Sequence, residues 1–311
     1  MFQFIRYEAK DKSRWNDFVQ EALNSNFLYH RNYLDYHADR FVDHSLLAFQ
    51  GKKLKAVLPL NESNGEFFSH QGITYGGWIV AKRFSAEEYQ ELFKTLDEYA
   101  KQHGIKAITY KQKPSFFANH FNETESWVLW NEGWELFRKD LSFGFDLQHV
   151  PGFARDKRYR YNKSTRNDLR IDWKASSDEF MALVKTNLVE RFGVDPVHTP
   201  EEVKMLQDRF PKNIKTISVY QGDVFLGGTW LFEDADFIHT QYLHTNDLGK
   251  ELCAVEFLVQ GLIERYSSKK RWFSFGTSTE DGGKSLNTGL ASFKEGFGAA
   301  GFVHDFYKKT F

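Results

Sequence analysis

The chain is 311 residues long, carries a formal net charge of −1 and is 41% hydrophobic. That is enough apolar material for packed cores and too much for a disordered chain, and the length points to two domains. A near-zero net charge excludes a surface that grips nucleic acid as a whole through its phosphates, so no DNA partner is expected and only a local basic patch is left to contact RNA. The single Cys253 excludes a disulfide framework and a cysteine-based zinc site, and its apolar neighbours predict a buried thiol. Aromatic residues are abundant, with 31 Phe, 14 Tyr and 8 Trp. Some of these flat rings are expected to line a groove.

Residues 1–15 lack the apolar stretch of a signal peptide, and no run approaches the ~20 apolar residues of a membrane span. A cytoplasmic protein with at most peripheral membrane contact is therefore expected. Strand-like runs at 45–49 and 54–60 flank Gln50-Gly51 and predict a hairpin. Ser85 and Glu88 form a capping box ahead of Tyr89, Leu92, Phe93, Leu96 and Tyr99, which predicts a helix over 85–102, with a strand after it at 107–110. Pro151-Gly152 breaks the pattern. The most basic stretch, 155–170, follows, with Arg155, Lys157, Arg158, Arg160, Lys163, Arg166 and Arg170 interleaved with Tyr159 and Tyr161. Ser176 with Glu179, and Thr199-Pro200 with Glu202, predict two further capped helix starts.

Strands are predicted next at 214–220, 224–232 and 237–243, the first two turning at Gln221-Gly222. A helix over 250–266 carries Leu252, Val255, Val259, Leu262 and Ile263 on one face. A strand at 272–275 and a helix over 284–296 complete the chain. In that last helix Leu286, Leu290, Phe293 and Phe297 form the expected core stripe, while Asn287, Ala291 and Lys294 fall on a neighbouring face. Strands alternate with helices throughout, which indicates a mixed α/β protein. The two halves repeat one plan: a hairpin turning on a Gln-Gly pair, a further strand, a long amphipathic helix and a short strand. The join lies near 145–175, so the expected domains are 1–150 and 151–311.

The C-terminal forty residues carry a resemblance. Strand 272–275 closes on Phe275-Gly276, a polar loop Thr277-Ser278-Thr279-Glu280-Asp281-Gly282-Gly283 follows, and a helix brings Phe293-Lys294 just before Gly296-Phe297-Gly298. This resembles the ending of the Fem aminoacyltransferases. The stretch RYNKSTRNDLR resembles the arginine-rich segment those proteins carry ahead of their second half. The Fem proteins are built from two GNAT-like halves, and the order helix, antiparallel hairpin, strand, helix, strand is that of the GNAT acyltransferase core. The polar loop and Ser69-His70-Gln71-Gly72-Ile73-Thr74-Tyr75-Gly76-Gly77 look like GNAT-superfamily proteins associated with polysaccharide biosynthesis. The resemblance implies tandem GNAT-like domains. Their second half would hold the acyl donor, and the first would face the acceptor.

It also implies a role for Lys294, as the ammonium that supports the transferring acyl group or its phosphate-bearing carrier. Phe293 would lie beside the donor. Asp281 or Glu280 either deprotonates the attacking amine or serves the following helix as an acidic N-cap; both readings are open. His244 and Tyr242, at the end of strand 237–243, are further candidates, His244 as general base and Tyr242 as a donor to a leaving thiolate, against ordinary strand packing. Leu248, Gly249 and Lys250 stand where GNAT enzymes bind the coenzyme A pyrophosphate on backbone N–H groups. This segment has one glycine and an acid instead of the usual glycine-rich pattern. Ser69, His70, Thr74 and Tyr75 are candidate acceptor contacts in a loop too polar and glycine-rich for a core. Arg158 and Arg166 are candidate contacts to a diphosphate, nucleotide or RNA.

None of the 11 histidines has compact metal-binding spacing, so no metal is expected. The leading expectation is an N-acyltransferase moving an acyl group, acetyl above others, from acyl-CoA to an amine of a small-molecule or lipid-linked amino sugar or other cell-envelope precursor. The alternatives are an aminoacyl-tRNA donor, with tRNA as partner, and a non-catalytic binding module.

Overall fold

The computed structural model describes residues 1–118 and 120–311. The chain divides into two compact units. The first comprises residues 1–141, 279–285 and 302–311; the second comprises 142–278 and 286–301. The first unit thus takes two short segments from the C-terminal region, which no single cut in the sequence can represent.

In chain order the elements that frame the site are β1 (Gln3–Arg6), α1 (Lys12–Glu21), β2 (Val42–Asp43), β3 (Leu46–Gln50), β4 (Lys53–Leu58), β5 (Asn61–Ser63), β6 (Glu66–Phe68), β7 (Ile79–Val80), α2 (Ala86–Gln102), β8 (Ala107–Lys111), α3 (Thr124–Asn131) and β9 (Glu135–Asp146). The second half continues with α4 (Arg155–Ser164), β10 (Leu169–Asp172), α5 (Ser177–Phe192), α6 (Pro200–Arg209), β11 (Ile214–Gln221), β12 (Val224–Glu233), β13 (Phe237–Thr245), α7 (Asp247–Glu251), α8 (Ala254–Tyr266), β14 (Trp272–Thr277), α9 (Thr288–Glu295) and β15 (Ala300–Thr310).

In the first unit β1, β3, β4 and β7 form one sheet, while β15, β8, β6, β5 and β2 lie in order in another. The β3–β4 hairpin turns at Gly51, and its counterpart β11–β12 turns at Gly222. Both glycines take positive φ (57° and 55°), which a side chain would resist. Helix α2 begins on the Ser85–Glu88 capping box. It buries Tyr89, Leu92, Phe93, Leu96 and Ala100 against Leu46, Leu58, Phe67, Ile108 and Tyr110. Each of the buried leucines and phenylalanines contributes about 1.5–3 kcal/mol by leaving water.

In the second unit the strand order is β10, β11, β12, β13, β14, β9. β13 and β14 are parallel but pair only over Phe237–His239 with Trp272–Ser274. Between β12 and β13 the register slips, so that Leu231 faces Thr240 and Trp230 faces Tyr242, leaving Gln241 as a bulge. Helix α6 starts on the Thr199–Glu202 capping box with Pro200 in its first turn, as expected. At α5 the Ser176 side chain instead accepts from Asp178 N–H, and Glu179 turns outward to accept the Tyr220 hydroxyl.

Helix α4 packs on α8 through a buried ion cluster. The Glu256 carboxylate, 2% exposed, accepts Lys157 Nζ at 2.9 Å and Arg160 Nε at 2.7 Å. Burial alone would push the Glu256 carboxyl up, but the hydrogen bonds and charges of Arg160 and Lys157 outweigh it and hold it below its ordinary value. Among the described residues no helix is long and apolar enough to cross a membrane.

Candidate functional site

Helix α9 reverses the expected arrangement. It starts at Thr288 with Asn287 as N-cap, accepting Leu290 N–H at 2.9 Å. Asp281 therefore does not cap it; it sits seven residues upstream with positive φ, and its carboxylate accepts the Ser285 hydroxyl. Asp281 and Glu280 are both exposed, and both belong to the first unit. Leu286 and Leu290 are also exposed, whereas Ala291 and Lys294 are buried. Of the stripe expected to face the core, Leu286 and Leu290 face water while Phe297 is buried and Phe293 half-buried, because a lysine shares the inner face and has partners there.

Those partners are backbone. Lys294, 3% exposed, donates from Nζ to the carbonyls of Gly276 at 2.8 Å and Thr277 at 2.6 Å. Among the described residues no carboxylate pairs with it, and burial lowers its pKa to about 7. One residue further on, Ser278 is buried with its hydroxyl unpartnered among the described residues. The carbonyls that Lys294 grips lie where β14 leaves β13. Just before that point His239 Nδ1 and Ser274 Oγ are 3.0 Å apart, and Ser274 Oγ also accepts Gly276 N–H. β14 pairs with β13 only as far as His239–Ser274, so the rest of β13, with its bulge at Gln241, runs on past that ladder in the same unit as the buried Lys294 ammonium. That combination suits a carbonyl whose oxygen gains negative charge.

The other candidates are more dispersed. Tyr242 OH lies 3.1 Å from His198 Nδ1, with its ring stacked on Trp230. His244 Nδ1 lies 3.3 Å from Asn187 Nδ2, and Asn187 also reaches the Thr245 carbonyl. His198 and Asn187 carry no sequence signal, because each is brought to β13 by tertiary packing. Phe293 is half-buried, edge-on to Phe297 and covered by the Lys157 ammonium at 4.3 Å.

The α7 segment is closed to phosphate on two of its first N–H groups. Asn246 N–H bonds the Leu226 carbonyl, and Gly249 N–H bonds the Asn246 side chain at 2.8 Å. Gly249 is a packing residue, since an added Cβ would overlap the Leu226 carbonyl oxygen. Lys250 pairs with Asp247, whose side chain is 96% exposed beside the same turn, and Leu248 is partly exposed. Gly249→Ala is therefore expected to lower the melting temperature through this overlap; a variant that melts like the wild type would contradict the packing role.

The 69–77 loop is buried, contrary to its polar composition. Ser69 Oγ accepts Lys111 N–H, and the Tyr75 hydroxyl accepts Asn26 Nδ2 at 2.7 Å. The carbonyls of His70, Gln71 and Ile73 converge on Lys111 Nζ. Burial lowers the His70 pKa to about 3, so it is neutral. Ser69, His70 and Tyr75 are committed to internal contacts, whereas Thr74 and, beside them, Gln71 are exposed. Arg158 and Arg166, in contrast, are exposed. With Arg155, Tyr159 and Lys163 they follow helical spacing along one face of α4 and the turn after it, and no carboxylate pairs with these four cations among the described residues. Among the described residues no group of three or more His, Cys, Asp or Glu forms a metal-holding cluster.

No protein-family model matches the chain, and no curated protein matches it in sequence. Solved structures do. The crystal structure of FemX superposes with a TM-score of 0.69 at 11% identity, covering 99% of this chain and 97% of FemX. L-PGS from Bacillus licheniformis gives 0.61 at 11% identity, covering 98% and 92%. A tandem GNAT protein from the clavulanic acid biosynthesis pathway gives 0.54 at 10% identity, covering 100% and 98%. Across nearly its whole length, the chain shares the mixed α/β fold of these three structures.

Proposed function

We propose that this protein is an acyltransferase that moves an acyl group from a carrier onto a primary amine. The observation that carries the reading is Lys294, a buried ammonium with no carboxylate partner among the described residues, held by two carbonyls at the parting of β13 and β14. When an amine attacks a thioester or ester carbonyl, charge builds on the carbonyl oxygen, and Lys294 with the unpartnered Ser278 hydroxyl would offset it. The amine must lose a proton first, and His244, Asp281 and Glu280 are the bases to test. The acceptor we propose is an amino sugar or related cell-envelope precursor, on the strength of the sequence resemblance.

For the donor, two observations favour an aminoacyl-tRNA over acyl-CoA. The α7 turn spends two of its first N–H groups internally and exposes Asp247, which disfavours a pyrophosphate there. The exposed cations Arg155, Arg158, Lys163 and Arg166 offer a local track for a phosphate backbone. Titration of the protein's melting temperature tests this, because a ligand of the native state raises it by mass action. A rise with aminoacyl-tRNA that is lost in the Arg158→Ala, Arg166→Ala double variant is expected. A rise with acetyl-CoA and coenzyme A alone would return the donor to acyl-CoA.

A further inference from the structure

The first unit contains a cavity of about 380 Å³ that none of the sequence motifs anticipates. It lies where β7 and β8 separate, β7 pairing with β4 in one sheet and β8 with β6 and β15 in the other. Trp78, Tyr89 and Phe84 give it apolar walls, and Glu125, from the first turn of α3, gives it a carboxylate. Glu125 accepts hydrogen bonds from the Tyr110 hydroxyl, from the Gln112 side chain and from the Trp78 backbone N–H. Tyr110 is fixed in turn by Trp78 N–H, which donates to its oxygen at 2.6 Å. Among the described residues no Lys, Arg or His pairs with Glu125. A carboxylate taken from water without a cation costs several kcal/mol, which these three neutral hydrogen bonds only partly offset.

We propose that this cavity binds a ligand through its primary ammonium, with Glu125 as the counter-ion and the aromatic walls covering the ligand's body. The cations nearby do not fill that role. Lys113 Nζ is tied to the carbonyls of Asn24 and Ser25, and Lys82 and His120 lie elsewhere in the lining. The acids facing the space besides Glu125 are Glu123, which accepts the Ser126 hydroxyl, and Asp305, which pairs with Lys139. The phenols of Tyr110 and Tyr89 are both pushed up by burial and stay protonated. Burial likewise raises the Glu125 carboxyl to about 7. An incoming ammonium therefore ionises it, and the proton leaves to solvent. Affinity for an alkylamine that stays protonated throughout, such as pentylamine, is then expected to rise about tenfold from pH 6 to pH 8, as the carboxyl ionises. Identifying this amine with the acyl acceptor rests on the acyl-transfer reading; the binding site itself does not.

The test is calorimetric titration of the full chain, with no acyl donor present, using two matched pairs of probes: pentylamine against pentan-1-ol, and glucosamine against glucose. At least one amine is expected to bind tenfold or more tightly than its alcohol partner. Its heat should depend on the ionisation heat of the buffer at pH 7, which reports the released proton. Glu125→Gln should remove both the preference and the buffer dependence, while Tyr110→Phe, which keeps the carboxylate, should retain the preference. Equal binding of amine and alcohol, no amine binding, or full amine preference in Glu125→Gln would overturn the proposal. If Glu125→Gln fails to fold, the wild-type pairs and the buffer dependence decide it. Because no donor is present, failure here leaves the acyl-transfer reading standing.

Discussion

Lys294→Met is expected to lower kcat by about 100- to 1,000-fold, the usual cost of removing one donor to a developing oxyanion. The fold should survive, and the direction of the stability change depends on pH. Lys294 titrates at about 7 in the folded chain against an ordinary 10.5. Between those values the unfolded state binds more protons, so this group makes stability rise with pH from about 7 to 10.5 and weighs against the fold below that window. Methionine removes the buried charge. The variant should therefore gain melting temperature relative to wild type at pH 6 and lose about half of that relative gain by pH 9. Thermal melting at the two values, beside steady-state rates, checks both halves. A rate equal to wild type removes Lys294 from the chemistry. A collapse of the fold at both pH values would make it a staple for the 276–277 turn instead.

The largest stability effect is expected at Glu256. Glu256→Ala leaves Lys157 and its share of Arg160 in the interior without a counter-charge, and removing one partner of a buried pair typically costs about 3–5 kcal/mol. Replacing Glu256 and Lys157 together by methionine should recover much of that, because the buried ammonium is gone and the Arg160 left without its carboxylate is 40% exposed, and a double-mutant cycle measures the coupling. The carboxyl sits below its ordinary value of 4.5. Its contribution is therefore present above that value and lost as pH falls through the lower folded one. Denaturant unfolding at pH 7 reads the main effect. A loss under 1 kcal/mol would mean that water reaches the cluster.

Much of the fold was legible because local signals and tertiary packing agree in it. The capping boxes at Ser85–Glu88 and Thr199–Glu202 start α2 and α6, and the Gln-Gly turns at Gly51 and Gly222 close the paired hairpins. The signals failed where a distant partner decides. Leu286 and Leu290 look like a core stripe by period, yet α9 buries Ala291 and Lys294 because the carbonyls of Gly276 and Thr277 wait on that side. Ser69 and Tyr75 look too polar for an interior, yet Lys111 N–H and Asn26 satisfy them there. Lys294 itself was found through a family resemblance, with no signal in its own surroundings. Glu125 had no signal at all: its enclosure depends on Tyr110 and Trp78, fifteen and more residues away.

The most direct test of acyl transfer is intact-mass analysis of a pool of amino sugars and amino acids. The pool is incubated with purified protein and either a set of aminoacyl-tRNAs or acetyl-CoA. The account predicts a new species heavier than one amine by the transferred acyl group, formed with a carrier-bound donor and reduced at least 100-fold with Lys294→Met. Unmodified amines with every donor, or product formed equally by the Lys294→Met variant, would contradict it.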